Sequence, residues 1–172
     1  MSTKQIGFTL IEMMITIAVL AILLSIAIPS FQTLMLDNRI AAQANQLITA
    51  FNYGRSEAVK RAAPATVCPT NGGAACAGST NWSTGWLVFA DANNNGTVDA
   101  NEDILRVWPA LDNGNTLNSG AKTRVTFTAT GFATGFNDTF SLCDKRGVPN
   151  SRATILNAMG RAYVKKGGGT CP

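Results

Sequence analysis

The sequence contains no histidine, which excludes His-based triads, imidazole acid–base chemistry and histidine metal ligation outright. It has no Cys-x-x-Cys pair either, so a thiolate zinc site and a redox-active dithiol both lack their spacing. Charge is scarce: 14% of the 172 residues, against roughly 25% in an average globular domain. The shortage is local. Before Asp37 the only charged side chains are Lys4 and Glu12, and Met13 to Leu36 is a run of 24 residues with none. Asp37 to Pro172 holds 22 of the 24 charges and most of the glycine. Two materials are joined end to end. One is an apolar N-terminal segment; the other is a polar segment of 136 residues, long enough to bury one core but leaving no room for a second large domain. A purely cytosolic enzyme does not fit. No nucleophile–base pair or opposed acid pair is present, so the reading is non-enzymatic with no cofactor.

Charge sign is uneven as well. Residues 1–121 carry 6 basic and 8 acidic side chains, net −2, and residues 122–172 carry 8 basic and 2 acidic, net +6. The stated net charge of +4 therefore belongs to the last third. A local basic excess fits an anionic partner or a merely solvated surface.

What is present begins with the apolar run. A spanning helix needs about 20 mostly apolar residues, and Phe8 to Leu36 supplies more, with Lys4 ahead of it. A secretory signal would have to be cut near Ser25-Ile26-Ala27, with Pro29 close behind and Glu12 inside its apolar region. Both features argue against it. A lone carboxylate in hydrocarbon costs several kcal/mol unless neutralised or paired, so Glu12 needs a cation that this segment does not contain.

Lys4-Gln5-Ile6-Gly7-Phe8-Thr9-Leu10-Ile11-Glu12 resembles the class III signal of type IV pilins and type II secretion pseudopilins. The resemblance implies a prepilin leader at 1–7 and cleavage by a prepilin peptidase after Gly7 on the cytoplasmic side. The new N-terminal residue, Phe8, would then be methylated. It also gives Glu12 a partner, the N-terminal ammonium of a neighbouring subunit, which would satisfy two charges inside a helical bundle. Residues 8–36 would serve first as an inner-membrane span and then as fibre core. Residues 37–172 would form the periplasmic or extracellular domain.

Pro29 removes one backbone hydrogen bond and crowds the preceding turn, predicting a kink or local loosening. Beyond it Ile40, Ala44, Leu47, Ile48, Phe51, Ala58 and Val59 recur at three- to four-residue spacing, while Asp37, Asn38, Gln46, Asn52 and Lys60 fall elsewhere. One long helix is expected, membrane-embedded to about Pro29 and amphipathic to about Arg61. Its stripe must pack on something, most economically a sheet.

Short β-like runs follow at Thr66–Cys68, Trp86–Ala90, Ile104–Trp108, Arg124–Thr128, Thr139–Leu142, Ala153–Leu156 and Ala162–Lys165. Gly, Asn, Asp, Ser and Thr clusters separate them. The blocks Tyr53-Gly54-Arg55-Ser56-Glu57-Ala58-Val59, Val67-Cys68 and Trp82 to Asp91 are similar to the GspH/FimT minor pilin and pseudopilin domain. That family implies an α+β fold, a long helix on antiparallel sheets as in type IV pilins, and structural roles for Arg55 and Glu57.

Asp91 to Glu102 matches the EF-hand loop spacing, with Asp91, Asn93, Asn95, Gly96 at the sixth place, Asp99 at the ninth and Glu102 at the twelfth. The flanking segments read as strands rather than helices, and Asn95-Gly96 is itself a strong hairpin signal. The reading is a polar hairpin loop and no metal, with a calcium loop as the alternative.

Cysteines stand at 68, 76, 143 and 171. Outside the cytoplasm disulfides are the default, and four cysteines allow three pairings. Cys68–Cys76 with Cys143–Cys171 is preferred, because the first closes a short Gly-rich loop and the second ties the C-terminus to a strand. A 68–143 or 68–171 link remains open.

Arg152, Arg161, Tyr163, Lys165 and Lys166 lie on or beside the last two expected strands, and Gly167-Gly168-Gly169 predicts a mobile final stretch. A constrained basic loop with an aromatic neighbour suits phosphate contact and base stacking. Gly160-Arg161 and the basic residues after it are similar to the DNA-binding C-terminal motif of FimT-type minor pilins. Tyr163 stands where that motif's second arginine would be, and Lys165 and Lys166 supply point charges rather than bidentate forks.

The expected function is a minor pilin or pseudopilin, processed by prepilin peptidase, that assembles into or primes a type IV pilus or type II secretion pseudopilus. Its partners would be other pilins or pseudopilins and the inner membrane. The cysteines and basic tail tilt this toward the pilus. The alternative is a DNA-binding minor pilin that captures extracellular DNA through the basic C-terminal loop.

Overall fold

The computed structural model describes residues 7–112 and 114–172; Lys4 and the expected leader ahead of Gly7 lie outside the described residues. Helix α1 runs Leu10–Arg61. Thr9 caps it: the Glu12 backbone N–H donates to Thr9 Oγ1 at 3.3 Å, the half of a capping box that a Thr-x-x-Glu sequence provides. Pro29 lies inside the helix, which continues through it. The helix is unbroken there, since proline removes a single N–H and the neighbouring rungs can hold. At the other end Ala62 takes a left-handed φ of 50°. The Ala62 N–H donates to the Val59 carbonyl and the Ala63 N–H to the Ala58 carbonyl, both at 3.2 Å. These are the two bonds of a Schellman motif, made with alanine where glycine is usual.

The chain divides into two compact units, the first ending at Asn38 and the second running Arg39–Pro172. In the first unit every side chain from Phe8 to Met35 is exposed, including Leu10, Ile11, Ile17, Ile22 and Phe31. α1 contains a window long and apolar enough to cross a membrane, and none of that window is buried.

The second unit holds two antiparallel sheets. β1 (Ala65–Pro69), β2 (Trp86–Ala90), β3 (Ile104–Trp108) and β5 (Val125–Phe127) form one, in the order β3-β2-β1-β5. β4 (Thr116–Ser119), β6 (Asp138–Cys143), β7 (Arg152–Leu156) and β8 (Ala162–Lys166) form the other, in the order β4-β6-β7-β8. Seven of these strands overlap the expected runs. β4 does not: Thr-Leu-Asn-Ser has one apolar residue and reads as loop. It becomes a strand because β6 pairs with it from Thr116↔Cys143 to Ser119↔Phe140, while Leu117 enters the core.

Both sheets bury their inner faces against the second half of α1. Ile40, Ala44, Leu47, Phe51 and Ala58 are buried as the stripe predicted, but Val59 is 52% exposed, and Gln43, Ala50, Gly54 and Glu57 are buried instead. The buried face follows 40, 43, 44, 47, 50, 51, 54, 57, 58, a 3.6-residue course that leaves position 59 outside. Phe51 is its centre. Its ring lies 5.0 Å from Phe140, 6.2 Å from Trp82 and 6.4 Å from Phe127 between centroids, joining residues of both sheets. A Cβ on Gly54 would stand 2.9 Å from Val67 Cγ2, so glycine lets the helix lie close on β1. Gln43 crosses from the helix to accept a 2.6 Å hydrogen bond from Asn115 Nδ2, both residues buried. Each fully buried Phe or Leu here contributes about 1.5–3 kcal/mol.

Glu57 is the charged member of the buried face. It accepts from Arg61 Nε at 3.0 Å and Lys60 Nζ at 3.4 Å. The Arg61 hydrogen bond, against the opposing effect of burial, holds its carboxyl below the ordinary glutamate value. A carboxylate lowered in this way stabilises the fold above its unfolded pKa, and that contribution is lost on acidification. Urea titrations should therefore show stability falling as pH drops below about 4.5. Glu57→Gln should cost about 0.5–1 kcal/mol at pH 7 and flatten that acid limb.

Candidate functional site

Three places in the chain carry side chains whose type and position call for a partner. The first is the start of α1. Gly7 and Phe8 precede the helix, and Phe8 is 73% exposed. Glu12 sits in the first turn, where the positive end of the helix dipole favours an acid. Among the described residues its carboxylate has no ion pair or side-chain hydrogen bond. From Met13 the surface is uncharged to Leu36.

The second place is the outer face of the first sheet. Cys68, Leu87 and Phe89 form a small buried cluster there, with Cys76 and Val98 packed on it. The Cys68–Cys76 disulfide folds one Gly-rich loop over this face, and residues 91–102 lay another across it. Asp91 is fully buried. Its Oδ2 accepts from Thr66 Oγ1 at 2.6 Å and from the Gly96 N–H at 3.1 Å. Asp99 Oδ2 accepts from Asn93 Nδ2 and Asn95 Nδ2, both at 2.8 Å. Glu102 Oε2 accepts the Asp99 N–H at 3.3 Å. Gly96 has a φ of 73°, and a Cβ there would collide with the Arg124 guanidinium. Among the described residues no three Asp, Glu or Cys side chains gather as a metal centre by themselves.

The third place is the C-terminal pair β7–β8. β8 is an edge strand, with Tyr163 opposite Ile155 and Lys165 opposite Ala153 on one face, and Ala162, Val164 and Lys166 on the other. Ala162 and Val164 pack on the main core, so Tyr163 and Lys165 face outward, with Arg161 in the same alternation just before the strand. The five residues singled out in the sequence are thus split. Arg161, Tyr163 and Lys165 make one exposed outer row. Lys166 and Arg152 pair across β7–β8 on the opposite face, and Arg152 Nη1 donates to the Asn150 and Ser151 carbonyls at 3.1 and 3.3 Å. Gly160 positions Arg161: its φ is 74°, and a Cβ would run into the Gly131 carbonyl. The Arg161 N–H donates to Asn157 Oδ1 at 3.0 Å, fixing the turn.

The final stretch is not the mobile tail that three glycines predicted. Cys143 is bonded to Cys171, and the tail lies on the outer face of the second sheet. The Gly167 N–H donates to the Ser151 carbonyl at 2.9 Å, the Gly169 N–H to Ser151 Oγ at 3.1 Å and the Thr170 N–H to Ser141 Oγ at 3.0 Å. A Cβ on Gly169 would be 3.2 Å from Ser151 Oγ and 3.3 Å from Ser141 Cβ. Here glycine permits close approach, and Ser141 and Ser151, which no sequence pattern marks, hold the tail. Nearby, Asp144 is buried, which raises its pKa. Hydrogen bonds from the Arg146 side chain and backbone outweigh that and leave the carboxyl below its ordinary value, so one of the local cations is already paired.

A long helix that is bare and apolar in its first unit and buried under two antiparallel sheets in its second defines a pilin-type structural subunit. Residues 43–160 match the family model described as type II transport protein GspH, and residues 2–28 match the prokaryotic N-terminal methylation motif. The chain belongs to the GspH family, whose pilin and pseudopilin members are structural, non-enzymatic subunits. Its fold is similar to crystal structures of the type IV minor pilin FimU of Pseudomonas aeruginosa strain PAO1. One, in space group P21, is 20% identical with a TM-score of 0.62, covering 76% of this chain and 90% of that one. Another, in space group P65, is 20% identical with a TM-score of 0.57, covering 74% and 93%. No curated protein sequence matches the chain.

The clamped tail gives a direct test. Replacing Cys143 and Cys171 together by serine should lower unfolding stability by about 2–4 kcal/mol. By hydrogen exchange, the Gly169 and Thr170 amides should lose protection while the Trp82 amide keeps its own.

Proposed function

We propose that the chain is a minor pilin or pseudopilin cut between Gly7 and Phe8 by a prepilin peptidase and methylated on Phe8. Residues 8–36 hold it in the inner membrane, with residues 37–172 on the periplasmic side, before it enters or primes a pilus-like fibre. The four cysteines and the basic last third favour a type IV pilus over a type II secretion pseudopilus. The observation that carries the reading is Glu12: a carboxylate without a side-chain partner among the described residues, at the head of 24 uncharged positions. Such an acid is costly in hydrocarbon unless it is paired. The N-terminal ammonium of a neighbouring subunit supplies the opposite charge at the matching level of an adjacent helix, and helix-on-helix packing supplies the rest of the association. Pro29 places one missing backbone hydrogen bond in the segment, a point where the helix can adapt to its neighbours.

Glu12→Gln should leave cleavage at Gly7 intact, seen as the faster-migrating mature band. The amount recovered in the sheared fibre fraction should fall at least tenfold. Incorporation at the wild-type level would remove Glu12 from assembly.

Capture of extracellular DNA is a second reading, favoured by the outward row of Arg161, Tyr163 and Lys165 on an edge strand, where two cations flank an aromatic. Phosphates would meet the cations and an unpaired base the tyrosine ring. With the full chain in detergent micelles, a gel shift should weaken steeply with salt. Arg161→Glu with Lys165→Glu should abolish it, while Lys166→Glu, on the other face, should weaken it much less. Equal loss from all three positions would point to nonspecific charge attraction.

A further inference from the structure

We propose that residues 91–102 form a calcium site on the outer face of the first sheet. The site rests on two carboxylate oxygens at the ends of the loop. Asp91 is 0% exposed. Thr66 Oγ1 and the Gly96 N–H occupy its Oδ2, and its Oδ1 is buried with no hydrogen-bond partner. Glu102 repeats the arrangement: Oε2 takes the Asp99 N–H, and Oε1 is buried and unpartnered. A carboxylate oxygen out of water without a donor is costly, and these two fall on the first and twelfth positions of the loop, whose acids ligate directly in an EF-hand spacing.

The intervening positions agree. The Gly96 N–H bond draws the Asp91 carboxylate across to the sixth residue, whose positive φ makes the sharp turn the ring needs. Asn93 and Asn95 both reach Asp99, so the third, fifth and ninth side chains already converge. Asn93 Oδ1 accepts the Asn95 N–H and Asn95 Oδ1 accepts the Thr97 N–H. Asn93 Oδ1 keeps a second lone pair, whereas Asn95 Oδ1 also accepts the Thr97 hydroxyl at 2.7 Å, a donor that must turn aside for this oxygen to ligate. The Thr97 carbonyl stands at the seventh position. The ligands offered are therefore hard oxygens from carboxylates, amides and main chain. This suits Ca²⁺ better than Mg²⁺, which demands a tighter octahedron and keeps its water.

Charge points the same way. From Ala62 to Leu105 there is no Lys or Arg, while Asp91, Asp99, Glu102 and Asp103 fall within 13 residues. Asp103 faces Arg61 at 3.9 Å. Arg124 lies against Gly96, yet its Nε has no partner, and among the described residues no ion pair joins it to Asp91, Asp99 or Glu102. The loop's three acids thus form no direct ion pair among the described residues, and the one guanidinium beside them sits at the Gly96 turn. Strands flank this loop where helices flank an EF-hand, so Ca²⁺ would fasten it over Phe89 and Leu87 through Val98 instead of turning one helix against another.

The test uses the full chain in detergent micelles, stripped with EDTA and titrated with CaCl₂ by calorimetry and thermal melting. Binding is expected with a Kd of about 10⁻⁴–10⁻³ M, the range of extracellular calcium modules. At 5 mM Ca²⁺ the melting temperature should rise by about 3–8 °C, and at 5 mM Mg²⁺ by at most a third of that. Glu102→Gln keeps an oxygen for the Asp99 N–H while removing the charge, so it should fold and lose the calcium shift. Asp99→Asn should weaken binding at least fivefold. No heat and no shift in the unaltered chain overturns the proposal, independently of any variant. An equal shift with Mg²⁺, or a full shift retained by Glu102→Gln, also overturns it.

Discussion

The buried face of the second half of α1 sets the position of nearly everything else in the second unit. A helix with small residues at Ala44, Ala50, Gly54 and Ala58 and large ones at Ile40, Leu47 and Phe51 presents a surface of alternating depth. β1 fits closely at Gly54, and the aromatic rings of Trp82, Phe127 and Phe140 close around Phe51. The two sheets share one core with this helix, Phe51 meeting Phe127 of the first sheet and Phe140 of the second. Their outer faces then remain to be covered. The first sheet uses the Cys68–Cys76 loop and residues 91–102, and the second uses its own C-terminal tail.

Periodicity made the large elements legible. The stripe from Ile40 to Ala58 and the β-branched or aromatic runs Trp86–Ala90 and Ile104–Trp108 are set by local sequence, and the structure keeps those strand bounds. β4 was illegible because its pattern is polar and its partner, β6, lies some twenty residues ahead; pairing supplied what composition did not. Val59 was misplaced by one position at the helix end, where a stripe assigned by three- and four-residue steps accumulates angular error. The three final glycines misled for a different reason. Glycine is needed both for freedom and for close approach, and only the facing Ser141 and Ser151 decide between the two.

The candidate sites were legible to different depths. Glu12 stands out by contrast, a single acid in an apolar run, so sequence alone isolates it. The basic C-terminal residues stand out by number, but number does not tell which face of a strand each occupies. Pairing of β8 with β7 separates Arg161, Tyr163 and Lys165 from Lys166 and Arg152, and that separation makes a surface out of a composition. The 91–102 loop lies between these cases. Its spacing is visible in the chain, whereas the unpartnered oxygens of Asp91 and Glu102 emerge only from the packing of the loop on the sheet.

The bond between Cys143 and Cys171 has a mechanical consequence. It joins the last strand position of β6 to the penultimate residue of the chain, across a sequence separation of 28. Load applied at the C-terminus therefore enters β6 through sulfur and bypasses β7 and β8. Those strands cannot be peeled away in sequence, and about 90–100 Å of contour length is withheld from extension. The row of Arg161, Tyr163 and Lys165 sits within that unloaded loop, so a subunit pulled from its C-terminal end keeps this surface in shape while tension passes it by.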